Sequence, residues 1–470
     1  MAAVATDPMH QVLDQALRSL AGLGGNLVDE ANRIGSVLWS PPRVVIVGRL
    51  KAGKSTLVNA LIGAPVAETA ALEATRVVAV YQDGAPSRAE VVDVQGRRYP
   101  VTLGREQVTD LPLPAEQIAY LHRWLPSSAI RSITLVDTPG LATLTTENET
   151  ATRRVLIDGF EQTRTASVDA DAAVFLFDST PRADEVSFLK QLGFTPLNTL
   201  GVLSRADGFG EGALGRRDPI EHAATHARVL ARQLSDSVAT VVPISGLMAQ
   251  TSRTGALTEA DAYAMTTLGR MRPLELIELL ESDDPAPLDP RMRDRLLDLV
   301  GEYGLINGRA PAGRGAAELN RWLVERSGIA ALQHLMHTSL SQFAGLQRAS
   351  RILGHFDQLA FTHPARDQIR GIAQYARSQP AMRPVALFTD LHRMLDADPA
   401  SPLVGDLRQL LLGRTPAERL GLPPGLNRGQ VQATAAAKLS EAHSQALSTM
   451  TSAEDAALVT LIATYTDLAR

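Results

Sequence analysis

Residues 43–62 read Arg43-Val44-Val45-Ile46-Val47-Gly48-Arg49-Leu50-Lys51-Ala52-Gly53-Lys54-Ser55-Thr56-Leu57-Val58-Asn59-Ala60-Leu61-Ile62. The apolar run Val44–Val47 predicts a buried strand. Leu57, Val58, Leu61 and Ile62 fall on one face of a following helix. Between them, Gly48 to Ser55 fills G-x-x-x-x-G-K-[ST], a phosphate-binding loop in the strand–turn–helix context that it needs. Successive backbone N–H groups and a helix N-terminus make a concave positive site for phosphate. Gly48, Lys51, Ala52, Gly53 and Thr56 belong to that cradle. The Lys54 ammonium is placed for the β- and γ-phosphates, and the Ser55 hydroxyl for Mg²⁺.

Composition bounds what surrounds this loop. A chain of 470 residues, 45% hydrophobic, has room for two or three domains with sizeable cores. A formal net charge of −5 argues against a general nucleic-acid binder. With no cysteine, disulfides, thiolate metal sites and a cysteine nucleophile are excluded. No apolar stretch approaches the roughly 20 residues of a membrane span. Residues 1–10 lack the basic and apolar regions of a signal peptide. The expectation is a cytoplasmic protein whose membrane contact, if any, is peripheral. Arginine is the default cation. The only lysines are Lys51, Lys54, Lys190 and Lys438, and two of these sit in the phosphate loop.

From 43 to about 250, apolar strands alternate with helical stretches. The candidate strands are 43–47, 77–81, 89–94, 132–136, 172–177, 200–203 and 239–244. Such alternation predicts a mostly parallel sheet with helices on both faces. Residues 100–130 lack a clean period and read as a loop with a short helix. Residues 9–38 read as a helix that Gly24-Gly25 kinks. After 255 the strands stop and helical patterns take over, including a long amphipathic one at 328–361. Thr415-Pro416-Ala417-Glu418 and Thr451-Ser452-Ala453-Glu454 are capping boxes. The predicted fold is an α/β P-loop nucleotide-binding domain at 41–335. Residues 1–40 and 336–470 read as all-α.

Three further segments choose the nucleotide. Asp137-Thr138-Pro139-Gly140 follows a strand and has the form D-x-x-G. There Asp137 would hold Mg²⁺ through a water, and the Gly140 N–H would meet the γ-phosphate. Thr75 is the candidate to complete the Mg²⁺ shell, with Thr69 as its competitor. Ser204-Arg205-Ala206-Asp207 stands where N/T-K-x-D would read guanine. A carboxylate at Asp207 accepts from both N1–H and the exocyclic amine of guanine, and adenine offers no such pair. Arg205 would cover base and ribose in place of lysine, and Ser204 would brace the loop. Ser245-Gly246 places a backbone N–H toward the guanine O6. The nucleotide is GTP or GDP. Other polar signals are bland: His222 and His226 as a solvated helix face, Asp184-Glu185 as helix caps.

The stretches Gly48–Gly63, Leu72–Val77, Val136–Gly140, Leu203–Gly208, Val242–Leu247 and Glu325–Leu332 together resemble dynamin-like GTPases. Within these they resemble the bacterial branch and its actinobacterial isoniazid-inducible (IniC-type) members. The resemblance implies a large GTPase domain, a stalk from both chain ends, nucleotide-dependent homodimerisation and remodelling of membranes. It also makes 377–395, with Met382, Val385, Leu387, Phe388 and Met394 between Arg377 and Arg393, a candidate tip for an anionic membrane. Packing of that segment inside the bundle is the competing reading.

Two departures from the family stand out. Dynamins carry a glutamine at the third loop position, where this chain has Leu50, and the residue after Gly140 is Leu141. Neither can orient an attacking water. Lys51 stands where dynamins have a small residue near a monovalent cation. There its ammonium would stabilise charge developing between the β- and γ-phosphates, the competing reading being a solvated surface lysine. Lys51, Lys54 and Thr75 are accordingly the candidate catalytic residues. The alternatives to a membrane-coupled GTPase are a non-catalytic partner of a paralogous dynamin-like GTPase, or an RNA- or ribosome-associated GTPase.

Overall fold

The computed structural model describes residues 7–49, 51–67, 77–104, 107–108, 111–139, 170–269, 271–272, 275–276, 278–279 and 288–470. The chain forms two compact units, 41–344 on the one hand and 1–40 with 345–470 on the other.

The 41–344 unit is organised by a sheet. Its strands are β1 (Arg43–Gly48), β2 (Ala79–Asp83), β3 (Arg88–Asp93), β4 (Arg98–Val101), β7 (Ile118–Leu125), β8 (Thr134–Asp137), β9 (Ala172–Phe177), β10 (Thr199–Leu203) and β11 (Val241–Pro243). Leu103–Gly104 (β5) and Gln107–Val108 (β6) form a separate short pair. The large sheet runs β11-β10-β9-β1-β8-β2-β7-β3-β4. Five of its pairings are parallel. The three antiparallel ones join β2 to β8, β3 to β7 and β3 to β4.

Alternation along β1 explains why both sheet faces carry helices. Val44 and Ile46 enter a core with Leu57 and Leu61 of the helix Lys54–Ile62, and with Ile329, Leu332, Met336 and Leu340. Val45 and Val47 enter the opposite core with Phe188 and Leu189, and with Ala223, Ala227 and Leu230. A strand covered on both sides needs an unbroken apolar run, and Val44–Val47 is one. A third core unites Met248, Met265, Leu296, Val300 and Leu323, in helices that follow the last strand.

The sequence expectation for 100–130 is overturned. That stretch holds β7, an eight-residue strand inside the sheet. Its Tyr120, His122 and Trp124 lie on one face and Arg123 on the other, so no simple polar–apolar alternation announces it. Gly24 and Gly25 both have positive φ and separate two helices, Pro8–Ala21 and Leu27–Trp39, instead of kinking one. The 328–361 pattern resolves into Ile329–Leu335, a π-helical turn Met336–Leu340 and Ser341–Thr362.

The other unit is helical. Leu13, Leu20, Leu27, Ile34 and Leu38 are fully buried, as are Phe356 and Phe388. Arg348, also buried, donates to the carbonyls of Leu38 and Ser40 and so closes the C-terminal end of Leu27–Trp39. Buried Thr460 donates to Asp390 at 2.6 Å, tying Ser452–Ala469 to Arg383–Ala397. Met382, Val385, Leu387, Phe388 and Met394 are all buried. The apolar side chains offered above as a membrane tip are therefore spent on internal packing. Among the described residues the largest apolar exposures fall on Phe361, Leu447 and Met450.

One turn in the sheet unit sets the end of β11. Gly328 has φ +80°, and a Cβ there would lie 2.4 Å from the Pro243 carbonyl oxygen. Its neighbour Ser327 accepts from the Ser245 N–H at 3.0 Å. Gly328→Ala is expected to cost about 1–3 kcal/mol and to weaken binding of the nucleotide that the sequence leads one to expect, because the displaced turn carries Ser245 with it. Denaturant unfolding and nucleotide titration of the same variant check both effects.

Candidate nucleotide-binding site

The end of β1 cannot carry a side chain at Gly48. A Cβ there would meet the Leu176 carbonyl of β9 at 2.5 Å. The chain then turns through Lys51 (φ +64°) and Gly53 (φ +93°) into the helix Lys54–Ile62. Lys54 is buried and donates to the carbonyls of Gly48 at 3.0 Å and Arg49 at 2.9 Å. Burial lowers its ammonium to about 8, against an opposing pull from Asp137. Asp137, at the end of β8, is pushed up to about 6 by burial, with Lys54 and a bond from Ser55 opposing. The Ser55 hydroxyl lies 3.5 Å from Asp137 Oδ2. Asp137 Oδ1 is buried and has no hydrogen-bond partner among the described residues. Thr138 pins the strand end by donating to the Ile46 carbonyl at 2.7 Å.

Arg49 points elsewhere. It pairs with buried Glu185, whose other oxygen accepts from the Arg182 N–H at 2.7 Å. Glu185 thus caps its helix, as its sequence position suggests, and also braces the phosphate loop.

The base side of the site is built at the ends of β10 and β11. Ser204 is buried and donates to the Phe177 carbonyl at 3.2 Å. Arg205 has φ +54°; it and Lys51 are the two non-glycine residues with positive φ among those described. The two are joined, since Arg205 Nη2 donates to the Lys51 carbonyl at 2.9 Å. Two backbones in a costly region, linked across one cleft, mark a place held for function. Asp207 follows in a short 3-10 turn. Ser245 caps the helix Gly246–Thr254. The rings of His222 and His226 lie 5.0 and 5.2 Å from that of Phe209, just past the Asp207 turn, and pack on it.

A cavity of about 450 Å³ brings these parts together. Lys51, Ala52, Gly53, Lys54, Ser55, Thr56, Asp137, Ser204, Arg205, Asp207 and Gly246 line it; Gly48 and Ser245 do not. Leu50, Thr69, Thr75, Gly140 and Leu141 lie outside the described residues. Tyr81 and Arg123 also line the cavity, and neither was singled out from sequence. Arg123 is buried, donates to the Val66 carbonyl at 2.9 Å and lies over the Tyr81 ring. Burial and the nearby Asp137 raise the Tyr81 phenol well above its ordinary value. Buried Asn59 accepts from the N–H groups of Val66 and Ala67 at 2.8 and 2.7 Å.

Comparison with known proteins agrees with this arrangement. Residues 43–198 match a family model described as a 50S ribosome-binding GTPase. The isoniazid-induced protein IniC of Mycobacterium tuberculosis, in strains CDC 1551 / Oshkosh and ATCC 25618 / H37Rv, is 33% identical over 445 residues. That alignment covers 88% of this chain and 87% of the relative. The chain belongs to the IniC family of bacterial dynamin-like proteins. Two solved chains of an oligomerised bacterial dynamin pair, described as sensing and tethering membranes at long range, align over 98% of this chain and 73% of theirs. They are 12% and 11% identical to it, with TM-scores of 0.32 and 0.33. As an IniC-family protein with a GTPase domain, the chain binds guanine nucleotide.

The buried carboxylate has a consequence that can be measured. From pH 3.8 to about 6 the folded protein holds a proton on Asp137 that the unfolded chain has released. The contribution of Asp137 to the stability of the nucleotide-free protein should therefore fall as pH rises through that window, by at most about 3 kcal/mol, while His122, held down to about 4 by burial, contributes in the opposite direction. The stability difference between wild type and Asp137→Asn is expected to show that fall by itself. Thermal unfolding of both proteins across the window checks it.

Proposed function

We propose that this protein hydrolyses GTP to GDP and phosphate with Mg²⁺. In this reading it couples nucleotide-dependent dimerisation through its GTPase domain to the binding and remodelling of an anionic membrane. It acts from the cytoplasm as a peripheral protein. One observation carries the reading: a single cavity, in an IniC-family chain, joins the phosphate loop, the Asp137 carboxylate and the Asp207 loop. Among the described residues no helix is long and apolar enough to cross a membrane, which fits a peripheral contact.

Ser55 and Asp137 would hold Mg²⁺. The Asp137 oxygen that lacks a partner supports this, because a buried acceptor needs a donor or an ion-bound water. The metal would supply charge stabilisation at the phosphates. Lys54 binds the β- and γ-phosphates, Thr75 completes the metal shell and Gly140 meets the γ-phosphate. Asp207 and Arg205 take the base, with Gly246 at O6. Lys51, exposed at the cavity rim with its carbonyl held by Arg205, supplies the further positive charge during hydrolysis.

The family model's description favours a second reading, a ribosome- or RNA-associated GTPase. The net charge of −5 weighs against it. Salt-sensitive affinity for RNA would support it.

GTP turnover measured against protein concentration, with and without anionic liposomes, tests the first reading, with Lys54→Ala as the blank. Specific activity should rise with both. Flat turnover with intact GTP binding would favour the non-catalytic partner instead. Lys51→Ala should lose about 100-fold in turnover, and wild-type turnover should not depend on potassium. Strong potassium activation of the wild type would sink the role given to Lys51.

A further inference from the structure

The helix Pro290–Asn307 packs along the helix Gly246–Thr254, whose first residues line the nucleotide cavity. Buried Thr251 donates to the Leu299 carbonyl at 2.5 Å and fixes the two helices together. Two residues later the helix breaks. Gly301 has φ +64° and ψ 179°, a combination open essentially to glycine alone. The break lies against the base-reading loop. A Cβ on Gly301 would stand 3.5 Å from Leu247 Cδ2 and 3.7 Å from Asp207 Oδ2. Both neighbours line the cavity.

We infer that Gly301 is a positioning residue for base specificity. The inference rests on Asp207 as the guanine reader. The helix break brings bare backbone up to the Asp207 carboxylate and the Leu247 side chain, and holds them in the plane that the base edge must meet. Distance is not the obstacle to a methyl group there, since 3.5 and 3.7 Å are ordinary contacts. The obstacle is conformation. An L-residue cannot keep this φ and ψ, so the break must relax, and its nearest neighbours are the two groups that shape the base pocket. The loss should fall on the exocyclic amine, whose bond to Asp207 separates guanine from hypoxanthine.

The test compares GDP with inosine diphosphate, which lacks that amine, by calorimetric titration of the full chain. Gly301→Ala should lower the GDP-to-IDP affinity ratio by about tenfold, the worth of one hydrogen bond to a charged group. A role confined to packing would lower the melting temperature and leave the ratio alone. A ratio within about twofold of wild type in folded Gly301→Ala overturns the inference. If that variant does not fold, Thr251→Val, which loosens the same helix without backbone strain, carries the test. It should lower the ratio in the same direction, and an unchanged ratio overturns the inference. Asp207→Asn separates the two levels. It should trade GDP for xanthosine diphosphate, and if it keeps its preference for GDP, the guanine-site reading itself has failed.

Discussion

An ammonium group taken out of water at the end of β1 governs the rest of the sheet unit. Lys54 is held by the carbonyls of its own loop and faces the half-buried Asp137, whose Oδ1 is wholly out of water. Neither charge is comfortable without phosphate and metal, and the opposed shifts of their protonation record that discomfort. Everything nearby serves to hold this arrangement in place. Gly48 lets β1 approach β9, Thr138 pins β8 to β1, and Glu185 draws Arg49 away from the cleft. A site that costs stability when empty gains it back on binding, so nucleotide and fold are thermodynamically linked.

The base side is joined to this centre by one side chain. Arg205 spans from the end of β10 to the Lys51 carbonyl, and both backbones lie in the left-handed region. Arginine suits the task, since its planar fork reaches farther and stays charged in any surroundings. A change at the base loop therefore bears directly on the phosphate loop.

What the sequence reveals and what it hides divide along a physical line. The phosphate loop is legible because its chemistry is local: strand, glycines, lysine and hydroxyl are contiguous, and Val44–Val47 shows its two-faced burial by composition alone. The base loop is legible because it sits at a strand end in the expected order. β7 is not, since Arg123 is buried among apolar neighbours and Tyr120, His122 and Trp124 interrupt any alternation. Nor can sequence show that Arg49 meets Glu185, or that a glycine inside the pattern 290–307 faces Asp207. Those facts depend on contacts between distant segments. The segment 377–395 misleads for a related reason. Apolar residues flanked by arginines look alike whether they face lipid or a neighbouring helix.

Both borders of the large sheet are built against the addition of a further strand. At one border β11 is three residues long and ends in Pro243; at the other β4 is four residues long and contains both Arg98 and Pro100. Short strands with a proline, which lacks an N–H to donate, are poor templates for adding a further strand. Among the described residues the sheet is thus guarded against growing into a fibre. Crowding then finds no open backbone edge on which an irreversible zippering of strands could start.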